Sequence, residues 1–269
     1  MRFWISTDLD GTLLNHQDYN YRAAEPALAL CKEQGIPIIL NTSKTQSETQ
    51  SLHQALDLNT PIIVENGSAL IFNNIKLKTQ IFGQPRSNIL NFIDDMRRKH
   101  DIKLSGFNDL GVSGIIEHTG LSDKAAELAA DKHYSEPFIW QDSDEKLQQF
   151  KHIAQQHNLT ILQGGRFYHL QGQTNKAKPL LWLQQNLQYL FSDLANKTKL
   201  ICLGDNHNDL AMLNIADYPI WVKSSTEPPQ LNNHNKAIYT KQIGPEGWNE
   251  AVTKLLTANN QDTNLVRRK

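Results

Sequence analysis

Residues 3–14 read Phe-Trp-Ile-Ser-Thr-Asp-Leu-Asp-Gly-Thr-Leu-Leu, an apolar opening that runs straight into two acids two positions apart. The opening predicts a strand, and a strand turns alternate side chains to the same face, so Asp8 and Asp10 leave its end on one side. Like charges held that close repel strongly unless a cation intervenes. Gly11 then allows a tight turn, and Thr12 offers a hydroxyl and an amide to its neighbours. Outward from this strand, apolar runs at 36–40 and 61–64 alternate with amphipathic stretches at 21–33 and 45–56. Gly35 stops the first helix, and Thr45-Gln-Ser-Glu48 has the capping-box form that starts the second. Such alternation implies parallel strands. It returns late in the chain, with a helix at 179–190, a strand at 200–203, a short helix from 208, a strand at 219–222 and a closing helix near 248–256. The two ends together predict one doubly wound parallel α/β sheet.

Between the halves the pattern changes. Asn66-Gly67 lies between Ile62-Ile-Val64 and Ala69-Leu-Ile-Phe72, a strong hairpin signal. Beyond it the pattern predicts helices at 87–98, 122–132 and 145–157, and strands at 114–117, 137–141, 160–163 and 166–170. We therefore expect a core of residues 1–83 and 173–269 carrying a smaller inserted α/β domain at 84–172, and a polar tail from 259 outside the fold. With 20% charged residues and a net charge of −1, the chain offers no electrostatic reason to bind nucleic acid or an anionic membrane. Cys31 and Cys202 match no metal spacing and are expected as reduced core residues. No apolar stretch approaches the ~20 residues needed to span a bilayer, and a cytoplasmic protein, monomer or homodimer, is the expectation.

In open parallel sheets ligands gather at the carboxyl ends of strands. Asp8-Leu-Asp-Gly-Thr12, Asn41-Thr-Ser-Lys44 and Leu203-Gly-Asp-Asn-His-Asn-Asp209 occupy such ends, and Thr174-Asn-Lys176 opens the helix leading back into the core. Mg²⁺ suits one or two carboxylates together with phosphate oxygens, so a phosphate ester is the natural substrate. An Asp-x-Asp-Gly string also occurs in surface turns and calcium loops. A calcium loop would need glutamate at its twelfth position, which counted from Asp8 is Tyr19.

Asp8-x-Asp10-Gly-Thr, Thr42, Lys176 and Gly204-Asp205-x-x-Asn208-Asp209 resemble, in order, the four motifs of the haloacid dehalogenase superfamily, with its Rossmann-like core. The resemblance implies Asp8 as the nucleophile forming an aspartyl-phosphate, and Asp10 as the general acid and base. It implies Thr42 and Lys176 as holders of the phosphoryl oxygens. Mg²⁺ would be held by the Asp8 and Asp205 carboxylates and the Asp10 backbone carbonyl, with Asn208 and Asp209 supporting its waters. An insert between the second and third motifs resembles the substrate-selecting cap of sugar phosphatases.

Further strings, Thr42-Ser-Lys-Thr45, Val64-Glu-Asn-Gly67, Tyr134-Ser-Glu-Pro137, Gly165-Arg-Phe-Tyr-His169 and Gly244-Pro-Glu-Gly-Trp248, look like those of mannosyl-3-phosphoglycerate phosphatases. That resemblance implies a small phosphorylated sugar-glycerate as substrate and mannosylglycerate, a compatible solute, as product. Ser43 and Lys44 would then meet its anionic groups. Arg166 and Tyr168, on one face of a strand, would take a carboxylate and a hydroxyl, and Glu65, Asn66, Ser135 and Glu136 would contact sugar hydroxyls. Each has a plainer reading too: exposed strand arginine, surface lysine, turn chemistry at Asn66-Gly67, a loop ending a helix at Ser135-Glu136. Lys132 and Ala177 stand where the family carries arginine and glycine. The alternatives are a phosphatase for glucosyl-3-phosphoglycerate, sucrose phosphate or a hexose phosphate, or a non-catalytic sensor of a phosphorylated metabolite; a sensor would be expected to lose Asp8 or Asp10.

Overall fold

A computed structural model describes residues 2–74, 77–163, 166–191, 197–225, 227–231 and 235–266, with side chains as far as residue 258. In chain order the first elements are β1 (Arg2–Thr7), α1 (Glu25–Glu33), β2 (Ile38–Leu40), α2 (Gln46–Ala55), β3 (Ile62–Val64), β4 (Ala69–Ile71) and β5 (Gln80–Ile81). There follow α3 (Arg86–His100), β6 (Leu104–Gly106), α4 (Phe107–Thr119), α5 (Asp123–Ala130), β7 (Ser135–Trp140), α6 (Asp144–Gln156), β8 (Leu159–Gln163) and β9 (Tyr168–Gly172). The chain closes with α7 (Ala177–Gln185), β10 (Thr198–Gly204), α8 (Leu210–Ile215), β11 (Tyr218–Lys223), β12 (Ile238–Ile243) and α9 (Gly244–Val266). Its packing divides into two units, Met1–Asn41 with Leu183–Lys269, and Thr42–Trp182.

The first unit is built on a five-stranded sheet of order β12-β11-β10-β1-β2, every neighbouring pair parallel. Strands buried on both faces read as continuous apolar runs rather than alternating ones, and Phe3-Trp-Ile5 and Leu200-Ile-Cys-Leu203 do so. β1 runs in register with β10 from Arg2 opposite Thr198 to Thr7 opposite Leu203. The acid-rich segments that follow the two strands therefore leave the sheet side by side. Cys31 and Cys202 are free and buried, as expected.

The second unit holds two antiparallel sheets. One, of order β3-β4-β5, pairs Val64 with Ala69 across the turn Glu65–Gly67. Glu65, Asn66 and Gly67 have φ of 48°, 56° and 86°, so the Asn-Gly signal correctly marked the reversal. The run at 61–64 was expected both to continue the parallel sheet and to turn back on 69–72; the hairpin forms, but β3 joins β4 and β5 in a sheet of their own and is not a strand of the five-stranded parallel one. The other sheet, of order β6-β7-β9-β8, packs one face on a core of Ile89, Phe92, Ile93 and Met96 from α3 with Phe150 and Ala154 from α6.

Three local expectations change. Residues 114–117 are helical within α4, where Ile115 packs on Ala126 and Ala129 of α5; tertiary burial overrides the strand preference of paired isoleucines. β5, β6 and β12 went unmarked, β5 and β6 because so few residues carry no readable period and β12 because its mostly exposed residues include polar ones on both faces. The tail expected outside the fold from residue 259 is helical to Val266. The segment 84–172 lies inside the wider unit Thr42–Trp182. Among the described residues no helix is long and apolar enough to cross a membrane.

Thr45 caps α2 as the sequence predicted: its hydroxyl accepts from the Glu48 N–H at 3.0 Å, and Glu48 accepts from the Thr45 N–H at 2.8 Å. The same hydroxyl donates to the Leu128 carbonyl of α5 at 2.8 Å. Thr45→Ala removes both contacts and should cost about 1–2 kcal/mol in urea unfolding, whereas a loss under a few tenths would show that neither bond contributes.

Candidate active site

In the first unit the site grows from the end of β1. The Asp8 N–H donates to the Leu203 carbonyl at 3.0 Å and so extends the ladder by one rung, fixing Asp8 beside the chain that leaves β10. The Thr7 hydroxyl donates to the Asp8 carbonyl at 2.8 Å and accepts from the indole N–H of fully buried Trp248 at 3.1 Å. Gly11, at φ 82°, turns the chain back, its N–H donating to the Leu14 carbonyl. A Cβ at Gly11 would stand 2.6 Å from Asp205 Oδ2, so only glycine admits the close approach of the two segments.

Asp8, Asp205 and Asp209 are all buried, and each offers a carboxylate oxygen within 4.8 Å of the others. Asp205 and Asp209 are also hydrogen-bonded to their own surroundings. Asp205 Oδ1 accepts from the Thr12 hydroxyl at 2.9 Å. Asp209 Oδ2 accepts from the N–H groups of Asp205 and Asn206, both at 3.0 Å, so that one oxygen shapes the loop. Gly204 permits this, since a Cβ there would lie 2.5 Å from Asp209 Cγ. The Asp205 carbonyl accepts from the Ser224 hydroxyl at 2.8 Å. Three buried carboxylates this close carry a repulsion that a hard cation relieves, and an all-oxygen donor set is what Mg²⁺ takes. The residues present therefore fit the expected metal. The Asp10 side chain stands outside the cluster, consistent with its carbonyl and not its carboxylate as the metal ligand, while Asp209 enters it more directly than expected. Asn208 sits in the short turn His207–Asp209. His16 Nε2 is 3.9 Å from Asp205 Oδ2 on a mostly exposed side chain.

The second unit holds the remaining motif residues. Thr42 is buried, with its N–H donating to the Ile63 carbonyl at 3.0 Å and its hydroxyl accepting from the Lys44 N–H at 3.1 Å. Lys44 approaches Glu48 at 3.8 Å, and the Ser43 carbonyl accepts from Lys132 Nζ at 2.9 Å. Lys176 is fully buried. The preceding Thr174 hydroxyl donates to the Gly67 carbonyl at 2.9 Å, and a Cβ on Gly67 would lie 2.5 Å from the Asn175 carbonyl carbon. The Glu65–Gly67 turn thus holds the third motif in place.

Several expected sugar contacts are committed within the fold. The Glu65 carboxylate accepts from the N–H groups of His133 and Tyr134 and from the Ser135 hydroxyl, tying the start of β7 to the turn that holds Lys176. Glu136 points to the opposite face of β7 from Ser135, as strand alternation requires. There Oε2 accepts from Arg86 Nε at 2.7 Å and Oε1 from the Asn108 N–H at 2.7 Å; burial pushes its carboxyl up, partly offset by these donors. Arg166 precedes the strand instead of lying in it, and its guanidinium donates to the His118 and Thr119 carbonyls at the end of α4. Tyr168 stacks on Phe138, centroids 5.6 Å apart, in the sheet's core. Asn66 is buried in the turn. Gly165 lies outside the described residues.

The chain matches the family model of haloacid dehalogenase-like hydrolases over residues 5–242 and belongs to that family. It is 33% identical over 276 residues to a protein of Methanococcoides burtonii, covering 97% of this chain and 99% of the relative. It is 35% identical over 266 residues to one of Persephonella marina, covering 94% of this chain and 96% of the relative. Both relatives bear the name glucosyl-3-phosphoglycerate/mannosyl-3-phosphoglycerate phosphatase. The fold is shared with a solved haloacid dehalogenase-like hydrolase of Bacteroides thetaiotaomicron, at TM-score 0.69 and 18% identity over 95% of this chain and all of that one. A Thermoplasma acidophilum structure gives TM-score 0.68 and 16% identity over 94% and 98%. The resemblance carried by the four motifs is borne out at the level of family and fold.

Two predictions arise from these groups. Mg²⁺ at a hundredfold excess over its dissociation constant should stabilise the protein by about 2.7 kcal/mol, and Asp205→Asn should lose most of that gain; equal thermal shifts in both would place the ion elsewhere. In the second unit, burial pushes His169 down to about 3, with the nearby Lys132 charge adding to the effect. Its folded pKa lies below the unfolded 6.5, so stability is lost as pH falls from 6.5 toward 3, by at most about 5 kcal/mol because the residue as a whole is only half-buried. Urea unfolding between pH 7.5 and 5 should show His169→Asn losing less stability than the native chain on acidification, and parallel losses would contradict this.

Proposed function

We propose that the protein is a Mg²⁺-dependent phosphomonoesterase that hydrolyses 2-O-mannosyl-3-phosphoglycerate, with the glucosyl compound as the second candidate. The observation that carries the reading is the buried Asp8–Asp205–Asp209 cluster at adjacent strand ends of a chain in the haloacid dehalogenase-like hydrolase family. Both sugars come from the names of relatives that match nearly end to end.

When bound, the divalent ion would neutralise the clustered carboxylates and the phosphate, so that one anion can approach another. Asp8 Oδ attacks phosphorus, and the bond from phosphorus to the glycerate oxygen breaks. Asp10 gives its proton to that departing oxygen. Water then attacks the aspartyl-phosphate while Asp10 takes its proton, and the bond from phosphorus to Asp8 breaks to release phosphate. Lys176 and Thr42 are assigned to the phosphoryl oxygens by their motif positions, Lys176 offsetting the negative charge that develops there. Lys44 is assigned to the anionic end of the substrate, and residues 84–172 to the cap that selects the leaving group. The reading expects a cytoplasmic enzyme.

Retention of Asp8, Asp10, Lys176 and Asp205 together argues against a sensor. Asp8→Asn should lower phosphate release from mannosyl-3-phosphoglycerate by at least about 10⁴-fold with the unfolding midpoint kept, since an amide oxygen is a far weaker nucleophile than the carboxylate this reading assigns to the phosphoryl. A variant retaining a tenth of native turnover would remove Asp8 from the nucleophile's role.

A further inference from the structure

On the antiparallel sheet of the second unit, Tyr168 and Leu170 turn to the core shared with α3 and α6. Strand alternation sends His169 and Gln171 to the opposite face. Their cross-strand neighbours there are Pro137 and Leu162 beside His169, and Ser135 and Thr160 beside Gln171. Pro137 and Leu162 carry no polar side-chain atom, the Ser135 hydroxyl is committed to Glu65, and the Thr160 hydroxyl makes no bond to Gln171 Oε1. His169 Nδ1 and Gln171 Oε1 are accordingly enclosed with no hydrogen-bond partner among the described residues. Gln171 is fully buried, and its amide nitrogen donates to the Thr174 carbonyl at 3.3 Å, which fixes the orientation of the oxygen. Leaving a buried polar atom unmade costs about 1–3 kcal/mol, and two on one strand face point to a ligand that supplies what the protein does not.

We infer that His169 and Gln171 form a hydroxyl-binding subsite that recognises the sugar ring of the leaving group. The inference rests on the proposed substrate class and deepens it by naming the residues that select the glycosyl part. Gln171 Oε1 accepts from a sugar O–H, and a neutral His169 ring exchanges a hydrogen bond with a neighbouring hydroxyl. Desolvation and the Lys132 ammonium keep that ring uncharged at working pH. The half-buried Ile139 and Leu162 on the same face give the C–H side of a pyranose an apolar surface. A pair of groups built for hydroxyls discriminates strongly against a substrate that lacks them, because the unpaired atoms stay buried.

The test compares kcat/KM for mannosyl-3-phosphoglycerate, glucosyl-3-phosphoglycerate and p-nitrophenyl phosphate in the native protein, His169→Phe, Gln171→Leu and His169→Asn, with unfolding midpoints measured alongside. The ratio of glycosylated to aryl substrate should fall about 10- to 100-fold in His169→Phe and Gln171→Leu, and recover in part in His169→Asn, which restores a polar atom. A loss that is equal for all three substrates, or no loss, would overturn the subsite, the first by making these residues structural. Should Gln171→Leu fail to fold, the His169 pair decides the matter alone. A native enzyme that turns over the aryl phosphate but neither glycosylated compound would defeat the substrate reading, and the subsite with it.

Discussion

The structure of the first unit depends on one constraint, the mutual repulsion of three buried carboxylates. Parallel register between β1 and β10 delivers Asp8 and Asp205 to neighbouring positions, and the short turn after Asp205 brings Asp209 to both. The surrounding residues resist the relaxation that repulsion would drive. Thr12 grips one oxygen of Asp205, two backbone N–H groups grip one of Asp209, and buried Trp248 supports Asp8 through Thr7. Glycines at 11 and 204 remove the Cβ atoms that would force the segments apart. A protein gains nothing in stability from such an arrangement without a cation, so its preorganisation is best understood as serving chemistry.

In the second unit a comparable economy surrounds the turn after β3. Glu65 secures the start of β7 while Gly67 receives Thr174, so one three-residue reversal with left-handed backbone positions both the strand of the antiparallel sheet and the segment that carries Lys176. Left-handed conformation at Glu65 and Asn66 is unusual outside glycine, and it persists because these bonds over-determine it.

Much of this was legible in the chain itself. Apolar runs of strand length followed by acids at fixed spacing located the parallel sheet and the edge where its carboxylates cluster, since both signals are local. Thr45-Gln-Ser-Glu48 and Asn66-Gly67 declared a helix start and a reversal for the same reason. What a single strand cannot declare is its sheet: the reversal marked β4 as the neighbour of β3, but not that the pair would leave the parallel ladder for a separate antiparallel sheet. Side-chain commitments were equally hidden. Glu136 and Glu65 suit sugar hydroxyls by type, yet Arg86, Asn108 and the residues at 133–135 claim their oxygens, and those contacts join positions 28 to 70 residues apart. His169 and Gln171 escaped notice because being unsatisfied is a property of neighbours across a sheet, not of the residues themselves.

The most direct measurement is mass spectrometry of the acid-quenched enzyme during turnover of mannosyl-3-phosphoglycerate with Mg²⁺, followed by proteolysis. The account predicts one added phosphoryl group on the peptide containing Asp8, located to that side chain, present only with substrate and metal together. Phosphate release with no labelled Asp8, or with the label on a different residue, would contradict it.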